Sequence, residues 1–125
     1  MAEQQPVYWR IRDLTAAYAK GTLSPVEVTE ALLARLDAVN AQLHAYITCT
    51  PELARRQAEE AAERYRRGER APLLGVPVSI KDAFDLADYE TTFGSLTCRG
   101  RIVRSDSGAV ARLRRAGVVI PGKTN

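Results

Sequence analysis

A lysine at the end of a short apolar strand is the residue of this sequence whose type and position most clearly suggest chemistry. Gly75 and Pro77 interrupt the preceding segment, and Val78 and Ile80 are β-branched, as in a buried strand. Lys81 follows directly. Burying an ammonium group costs several kcal/mol unless it is paired or loses its proton. Lys81 is therefore a candidate catalytic residue, since a deprotonated lysine can act as a general base.

A simpler interpretation of Lys81 stays open at this point. The lysine would form an ion pair with Asp82 or Asp85 at the strand end and face water, as most lysines at strand ends do. The residues by themselves favour this solvated pair over a catalytic lysine.

A polar loop after the lysine is the second candidate site. Residues 82–104 carry aromatic, threonine and glycine residues without clear periodicity, which is typical of a long loop at a functional face. Within it, Thr91, Thr92, Gly94 and Ser95 are expected to border a cleft. Each of them taken singly also fits a polar turn in which glycine supplies a positive φ, so that alternative stays open.

Histidine and cysteine chemistry is not expected. His44 is the only histidine and belongs to no motif, so we expect an exposed or hydrogen-bonded side chain rather than a base or a metal ligand. Cys49 and Cys98 lie far apart and lack metal-ligand spacing, which predicts two reduced thiols. We therefore expect no metal site and no cofactor.

The composition is that of one ordinary globular domain, or a piece of one. The 125 residues are 46% hydrophobic and 26% charged. Lys and Arg (18) nearly balance Asp and Glu (15), and the net charge of +3 indicates no nucleic-acid partner. Arginines and glutamates interleave in residues 52–67 at spacings that give pairs within a helix, which predicts a solvated helix face.

Targeting patterns point to the cytoplasm. Residues 1–5 lack the basic and apolar pattern of a secretory leader, and no apolar run approaches the roughly 18 to 20 residues that span a bilayer. We expect a cytoplasmic protein without membrane contact.

Helices and strands are predicted to alternate along the chain. Ser24, Pro25 and Glu27 form a capping box that begins a helix, Thr50 and Pro51 mark another helix start, and Asp106 is the expected N-cap of a third. Periodicity places helices within 7–21, 25–40, 52–67 and 106–117, and strands within 43–48, 78–80 and 118–120. This alternation predicts an α/β fold whose strand order the sequence leaves open.

The segment from Gly117 to Thr124 satisfies the phosphate-loop pattern letter by letter. A phosphate loop follows a strand and opens a helix, whereas Gly117 ends a predicted helix here. Three β-branched residues fill the middle of the segment, and Pro121 removes a backbone donor. We therefore reject a nucleotide-binding loop and expect a core strand.

Four motifs in order resemble the amidase signature family. They are Gly-Val-Pro-Val-Ser-Ile-Lys-Asp (75–82), Thr-Thr-Phe-Gly-Ser (91–95), Asp-Ser-Gly-Ala-Val (106–110) and Gly-Lys-Thr-Asn (122–125). The resemblance implies an α/β/α fold with helices flanking a mixed sheet. It also implies that residues 1–125 are the amino-terminal portion of a single, incomplete amidase domain. One departure is Asp88, where relatives often carry glycine, and aspartate tolerates the left-handed backbone region better than most residues.

The resemblance implies amide hydrolysis by a triad of a serine nucleophile, a second serine in a cis peptide linkage, and a lysine that matches Lys81. A lysine can remove a serine proton once burial lowers its pKa. Both serines belong to a Gly/Ser-rich segment that follows the motif at 122–125 in the family. The serines Ser79, Ser95, Ser105 and Ser107 do not match those positions.

Further expectations follow from the same resemblance. Asp82, Thr91, Thr92, Gly94 and Ser95 would support Lys81 and the substrate loop, and the substrate would be a small-molecule amide. These residues alone are expected to be inactive, and a homo-oligomer is compatible with a full-length protein. The motifs at 81–85 and 91–95 look more like general amidases than the A subunit of a tRNA-dependent amidotransferase, which stays an alternative. A non-catalytic scaffold or interaction protein that kept half of the fold is another.

Overall fold

Helices and strands alternate along the chain in the computed structural model, which describes residues 5–125. The described elements are four α-helices, three short strands and two single 3₁₀ turns at Pro6–Tyr8 and Leu96–Cys98. The helices and strands are α1 (Ile11–Lys20), α2 (Pro25–Leu43), β1 (Tyr46–Cys49), α3 (Pro51–Arg66), β2 (Ile80–Lys81), α4 (Gly108–Arg115) and β3 (Gly122–Thr124). The α/β prediction is confirmed.

Helix α2 begins at the predicted capping box. The Ser24 hydroxyl accepts a hydrogen bond from the Val26 amide at 3.2 Å, and the Glu27 carboxylate accepts one from the Ser24 amide at 2.7 Å. Pro25 occupies the first helical position, where its missing N–H costs nothing. The reciprocal bonds satisfy amides that the helix itself leaves free, which fixes the start of α2.

The other two predicted caps act differently. Thr50 precedes α3 but makes no capping bond, and its hydroxyl donates instead to the Ile120 carbonyl at 2.8 Å. Ser107, not Asp106, caps α4 by accepting from the Val110 amide at 3.4 Å. Sequence patterns located these helix starts to within a residue, but tertiary contacts decided which side chain caps.

Helix α3 presents the charged outer face that the sequence predicted. Glu63 pairs with Arg66 and, at 3.0 Å, with Arg67 one turn along the helix. Arg55 reaches Glu30 on α2 at 2.7 Å, and both side chains are about half exposed. Within residues 5–125, no helix is long and apolar enough to cross a membrane.

The last strand in chain order lies at the centre of the sheet, whose order is β1-β3-β2. β3 runs antiparallel to β1 and parallel to β2, so the sheet is mixed. Upstream of β2, the Val78 amide donates to the Val119 carbonyl at 2.8 Å, and the Val119 amide donates to the Val76 carbonyl at 2.9 Å. The parallel contact therefore begins before the regular strands do.

The strand predicted at 118–120 lies further along the chain, at Gly122–Thr124. Val118, Val119 and Ile120 are at most 2% exposed and form core instead of regular strand. Val118 and Ile120 pack against α3 and α4, whereas Val119 packs against α2 and α3. One isolated bridge joins Val119 to Pro77. The apolar pattern at 118–120 predicted correctly that these residues are buried. The regular strand pairing, however, lies in the residues that follow, Gly122–Thr124.

A hydrophobic cluster beneath β2 holds the strand that carries Lys81. Helices α3 and α4, the loop after β2 and the segment before β3 all contribute buried side chains to it. Its members are Leu53, Ile80, Leu86, Val110, Val118 and Ile120. Ile80 is 3% exposed within this cluster, so its packing anchors β2 at the residue next to the candidate base.

Candidate active site

Lys81 lies on the exposed face of the sheet. Lys81 pairs in register with Thr124 on β3, and Tyr46 on β1 also pairs with Thr124. Residues that pair across a sheet point to the same face and neighbours along a strand point to opposite faces. Ile80 and Lys123 therefore point to the buried face, while Lys81 is exposed. Residues 5–125 do not supply the dry surroundings that the family resemblance implies for a lysine base.

The carboxylates closest in sequence to Lys81 are both held by other cations. Asp82 Oδ1 lies 2.8 Å from Lys123 Nζ, and Asp85 Oδ1 lies 3.0 Å from Arg101 Nη1. Among residues 5–125, no carboxylate lies within ion-pair distance of the Lys81 ammonium. The solvated ion pair that the residues alone favoured for Lys81 is therefore absent from this part of the chain.

Asp82 and Lys123 form a buried ion pair directly beneath the candidate base. Lys123 is 0% exposed and Asp82 is 2% exposed. Lys123 Nζ also donates to the Glu90 carbonyl at 2.5 Å and to Thr91 Oγ1 at 2.7 Å, so the ammonium lies within 2.8 Å of three oxygen atoms. Asp82 Oδ2 accepts from the Thr92 amide at 3.1 Å and from its hydroxyl at 2.5 Å. A buried pair is tolerated when its hydrogen bonds are satisfied in this way.

The charge on Asp82 is stabilised despite its burial. Removal from water by itself would raise the pKa of this carboxyl group, because burial disfavours the ionised form. The hydrogen bonds from Lys123 and Thr92 outweigh that effect and hold the pKa of Asp82 below its usual value. Asp82 therefore stays ionised at neutral pH.

The loop next to the ion pair contains a tight turn at residues 92–95, which we call the site turn. Phe93 has φ 55° and Gly94 has φ 69°, and the Ser95 amide donates to the Thr92 carbonyl at 2.9 Å. Two successive residues with positive φ inside such a hydrogen bond make a type I′ turn. The Phe93 amide also donates to the Asp82 carbonyl at 3.0 Å, which ties the site turn to the strand end.

Asp88 adopts φ 70°, in the left-handed region expected where relatives often carry glycine. Its amide donates to the Val103 carbonyl at 2.8 Å. The turn that the sequence analysis expected aspartate to tolerate is therefore present.

The predicted loop residues do not all face the same space. Thr92, Gly94 and Ser95 line an open cleft of about 400 Å³, together with Asn125 and the β1 residue Thr48. Other residues lining it are Ile47, Glu90, Leu96 and Arg99. Thr91 is fully buried against Lys123, and Lys81 does not line the cleft. A larger cavity of about 530 Å³ lies between α1, α2 and α3 and contains none of the predicted site residues.

A family model described as amidase matches residues 27–125. The chain belongs to the amidase family. The A subunit of glutamyl-tRNA(Gln) amidotransferase from Rhodospirillum rubrum is 44% identical over 115 residues, which cover 92% of this chain and 23% of the relative.

Solved structures agree with this family membership. Native peptide amidase from Stenotrophomonas maltophilia superposes with a TM-score of 0.87 at 36% identity, over 94% of this chain and 25% of that enzyme. An amidase family protein from Bacillus anthracis superposes with a TM-score of 0.88 at 25% identity, over 98% of this chain and 25% of that protein. The chain thus spans about a quarter of the length of these relatives.

The serines near the site of this amidase chain have structural contacts of their own. The Ser79 hydroxyl meets the Tyr46 hydroxyl on the exposed face of the sheet. Ser95 accepts from the Thr97 amide at 3.3 Å at the start of a 3₁₀ turn, and Ser107 caps α4. That none of the four serines is the nucleophile of the family stays a prediction.

Sequence reasoning did not include Lys123 among the candidate site residues. It was noticed as the lysine of an apparent phosphate loop, but the structure buries it completely in the ion pair with Asp82. The strand was predicted at 118–120, so Lys123 lies in a strand, Gly122–Thr124, that the sequence pattern placed too early. A signal was available in the motif at 122–125, since a lysine that closely follows a predicted core strand needs a buried carboxylate if the strand continues through it.

Proposed function

We propose that residues 1–125 contribute the lysine base of a serine amidase and that Lys81 is that base. The observation that carries this proposal is the pairing pattern around Lys81. Its strand presents it on the exposed face of the sheet, while Asp82 and Asp85 are each held by another cation. The ammonium is thus anchored at its backbone and left available for a partner that approaches this face.

The chemistry requires a base because a serine hydroxyl is a weak nucleophile until a neighbouring group removes its proton. In its neutral form Lys81 would accept a proton from a bridging serine, which in turn takes the proton of the nucleophilic serine as it attacks the amide carbon. The same groups would return a proton to the departing amine, and water would then hydrolyse the acyl intermediate. The family resemblance assigns both serines to a Gly/Ser-rich segment that matches none of residues 1–125.

The site turn would border the substrate. Thr92, Gly94 and Ser95 line the cleft beside the sheet, and the Asp82 ion pair supports them from below. We expect a small-molecule amide as the substrate, no nucleic-acid or membrane partner, and a cytoplasmic location. Homo-oligomerisation of the protein at its natural length stays a prediction as well.

Substitution of Lys81 in the protein at its natural length tests this function. We expect Lys81→Ala to lower kcat for hydrolysis of a peptide amide by about 100-fold to 10,000-fold, because general-base catalysis contributes that much. Lys81→Arg should be equally impaired, since arginine keeps the charge but does not release its proton. Ammonia release measures both. Lys20→Ala is the matched control, because Lys20 is also exposed and lies at the far end of α1.

Retention of hydrolysis in both Lys81 variants would exclude Lys81 as the base. The polypeptide of 125 residues prepared alone is expected to release no ammonia. Lys81-dependent hydrolysis by that polypeptide would show that residues 1–125 suffice, which contradicts the assignment of the serines to another segment.

A second candidate function is transfer of amide nitrogen to glutamyl-tRNA(Gln). The 44% identity to the amidotransferase subunit of Rhodospirillum rubrum favours it, whereas the motifs at 81–85 and 91–95 look more like general amidases. Ammonia release from a peptide amide without any tRNA would support the amidase. Glutamine hydrolysis that requires glutamyl-tRNA(Gln) and further subunits would support the amidotransferase.

A further inference from the structure

Lys123 is a buried cation that joins three segments of the chain. It lies in β3, its ammonium pairs with Asp82 at the end of β2, and it donates to the Glu90 carbonyl and the Thr91 hydroxyl in the loop. All these acceptors lie within 2.8 Å of the single nitrogen atom. An apolar side chain of similar volume could fill this space but could not hold three acceptors in fixed directions.

The segments that Lys123 joins are those that fix Lys81 and the site turn. The Asp82 amide donates to the Thr124 carbonyl at 2.8 Å, and the Asp82 carbonyl accepts from the Phe93 amide at 3.0 Å. The Asp82 carboxylate meanwhile holds both the amide and the hydroxyl of Thr92. Asp82, the residue after Lys81, is thus hydrogen-bonded to the central strand through its amide and to the site turn through its carbonyl and carboxylate.

We propose that Lys123 is a positioning residue of the amidase reaction, which sets the direction of Lys81 and the shape of the site turn through Asp82. This inference rests on the proposed function. Lys123 is 0% exposed and points to the face of the sheet opposite Lys81, so it does not touch the substrate. It acts through the Asp82 backbone and carboxylate, and a displacement of these groups moves the base and the substrate-binding turn together.

A purely stabilising role is the competing explanation. Removing one partner of a buried pair destabilises a protein strongly, whereas replacing both partners with uncharged groups is often neutral. The two explanations therefore separate in a double variant. Lys123→Met combined with Asp82→Asn should recover thermal stability, because neither charge is left unpaired. It should not recover the hydrogen bonds that the Lys123 ammonium donates to the Glu90 carbonyl and the Thr91 hydroxyl next to the site turn.

The experiment compares these variants in the protein at its natural length. We expect Lys123→Met to lower the Tm and to lower kcat for a peptide amide by about 100-fold, as a displacement of about 1 Å at a site does. KM should rise as well, because the displaced site turn borders the substrate. Deuterium uptake at the amides of residues 90–95, followed by mass spectrometry, should rise. In the double variant the Tm should recover, while kcat stays low and uptake stays high.

A matched control uses the other partly buried ion pair of this region. Asp106 pairs with Arg114 at 2.8 Å and accepts from the Ala87 amide at 2.8 Å. Asp106→Asn removes the charge of that pair but keeps an oxygen that can accept from Ala87, and it changes no group of β2 or the site turn. We expect a lower Tm with wild-type kcat and wild-type uptake at residues 90–95.

If Lys123→Met does not fold, Thr91→Val removes one acceptor of the Lys123 ammonium at nearly constant shape. It should lower kcat in the same way, and Thr91→Ser should recover most of the loss.

Recovery of kcat together with Tm in the double variant would overturn the positioning role and leave only a stabilising one. Unchanged uptake at residues 90–95 in Lys123→Met would overturn it as well, whatever the activity. Absence of amide hydrolysis in the wild-type protein would instead count against the proposed function, and the uptake measurement would still decide whether Lys123 anchors the site turn.

Discussion

Individual residues in unusual backbone conformations show what the sequence could and could not reveal. Asp88 was expected to tolerate the left-handed region, and its φ of 70° confirms this. Phe93 at φ 55° was not expected, because phenylalanine has no side-chain group that favours positive φ. The adjacent Gly94 suggested a turn but did not show that its neighbour would share the conformation.

Phe93→Asn should stabilise the protein by about 1 kcal/mol. An L-residue without a local hydrogen-bonding group loses about 1–2 kcal/mol in the left-handed region, and Asn-Gly is a preferred pair for a type I′ turn. The Phe93 ring is 57% exposed, so little burial is lost, although its contact with Arg101 disappears. Urea unfolding measures the change. Phe93→Val should destabilise the protein, because a β-branched residue is disfavoured at positive φ. An increase in stability in Phe93→Val would contradict the proposed backbone strain at this position.

Asp82 should make the stability of the protein depend on pH in the acid range. Its pKa is held below the usual value in the folded state, whereas an unfolded aspartate titrates near about 3.9. A carboxyl group with a depressed folded pKa stabilises the fold above its unfolded pKa, and this contribution is lost as the pH falls through the folded pKa. We therefore expect stability to decrease as the pH is lowered from about 5 towards the depressed pKa.

Circular dichroism during acid titration, at high salt to screen the surface ion pairs, measures this dependence. Asp82→Asn should flatten the acid limb, and Glu30→Gln, which breaks an exposed pair with Arg55, should not. If Asp82→Asn does not fold, Thr92→Val should move the acid midpoint to higher pH, because it removes a hydrogen bond that favours the carboxylate. An unaltered acid limb in these Asp82 and Thr92 variants would assign the effect to other carboxylates.

Secondary-structure elements were predictable where the determinants are local. The capping box of α2 and the alternation of helices and strands follow from short patterns. The position of β3 does not, because it depends on how closely β1 can approach. At Gly122 an added Cβ would lie 2.4 Å from the Thr48 carbonyl oxygen and 2.8 Å from the Tyr46 ring. Only the folded partner strand reveals that constraint.

Gly122→Ala should therefore destabilise the sheet by about 1–3 kcal/mol, as other overpacked sites do. The contact with Thr48 is to backbone, so relief requires β1 to move away from β3. Thermal unfolding measures the loss. Gly108→Ala is the control, because nothing lies within 4 Å of its Cβ position at the start of α4. A neutral Gly122→Ala would show that β1 can shift without cost.

At the scale of the whole molecule, residues 5–125 expose several large apolar side chains, of which Phe93 lies in the site turn and Leu96 lines the cleft beside it. Leu43 (67%), Phe93 (57%), Leu96 (78%) and Ile102 (64%) are among the exposed large hydrophobic side chains. The outer edges of β1 and β2 have no partner strand among these residues.

The interactions across long sequence distances, such as the ion pair of Asp82 with Lys123, could not be predicted because no local pattern links the two positions.

The polypeptide of 125 residues, prepared alone, should self-associate or dissolve poorly. Open strand edges and clustered apolar side chains are the usual causes of such association. Sedimentation velocity over a range of concentrations measures it. Leu96→Lys should weaken the association, because it replaces an apolar side chain that is 78% exposed with a charged one. A monomer with a sharp unfolding transition that does not depend on concentration would contradict this prediction.

The central place of β3 in the sheet has a consequence for synthesis on the ribosome. β1 and β2 emerge first, but each of them pairs only with β3, whose residues are translated last of the three. Helices α1 to α3 can pack on one another as they emerge, whereas the sheet can form only after β3 has emerged. A nascent chain paused before residue 122 would hold the Lys81 segment without its hydrogen-bonding partner, so the candidate base is positioned late in vectorial folding.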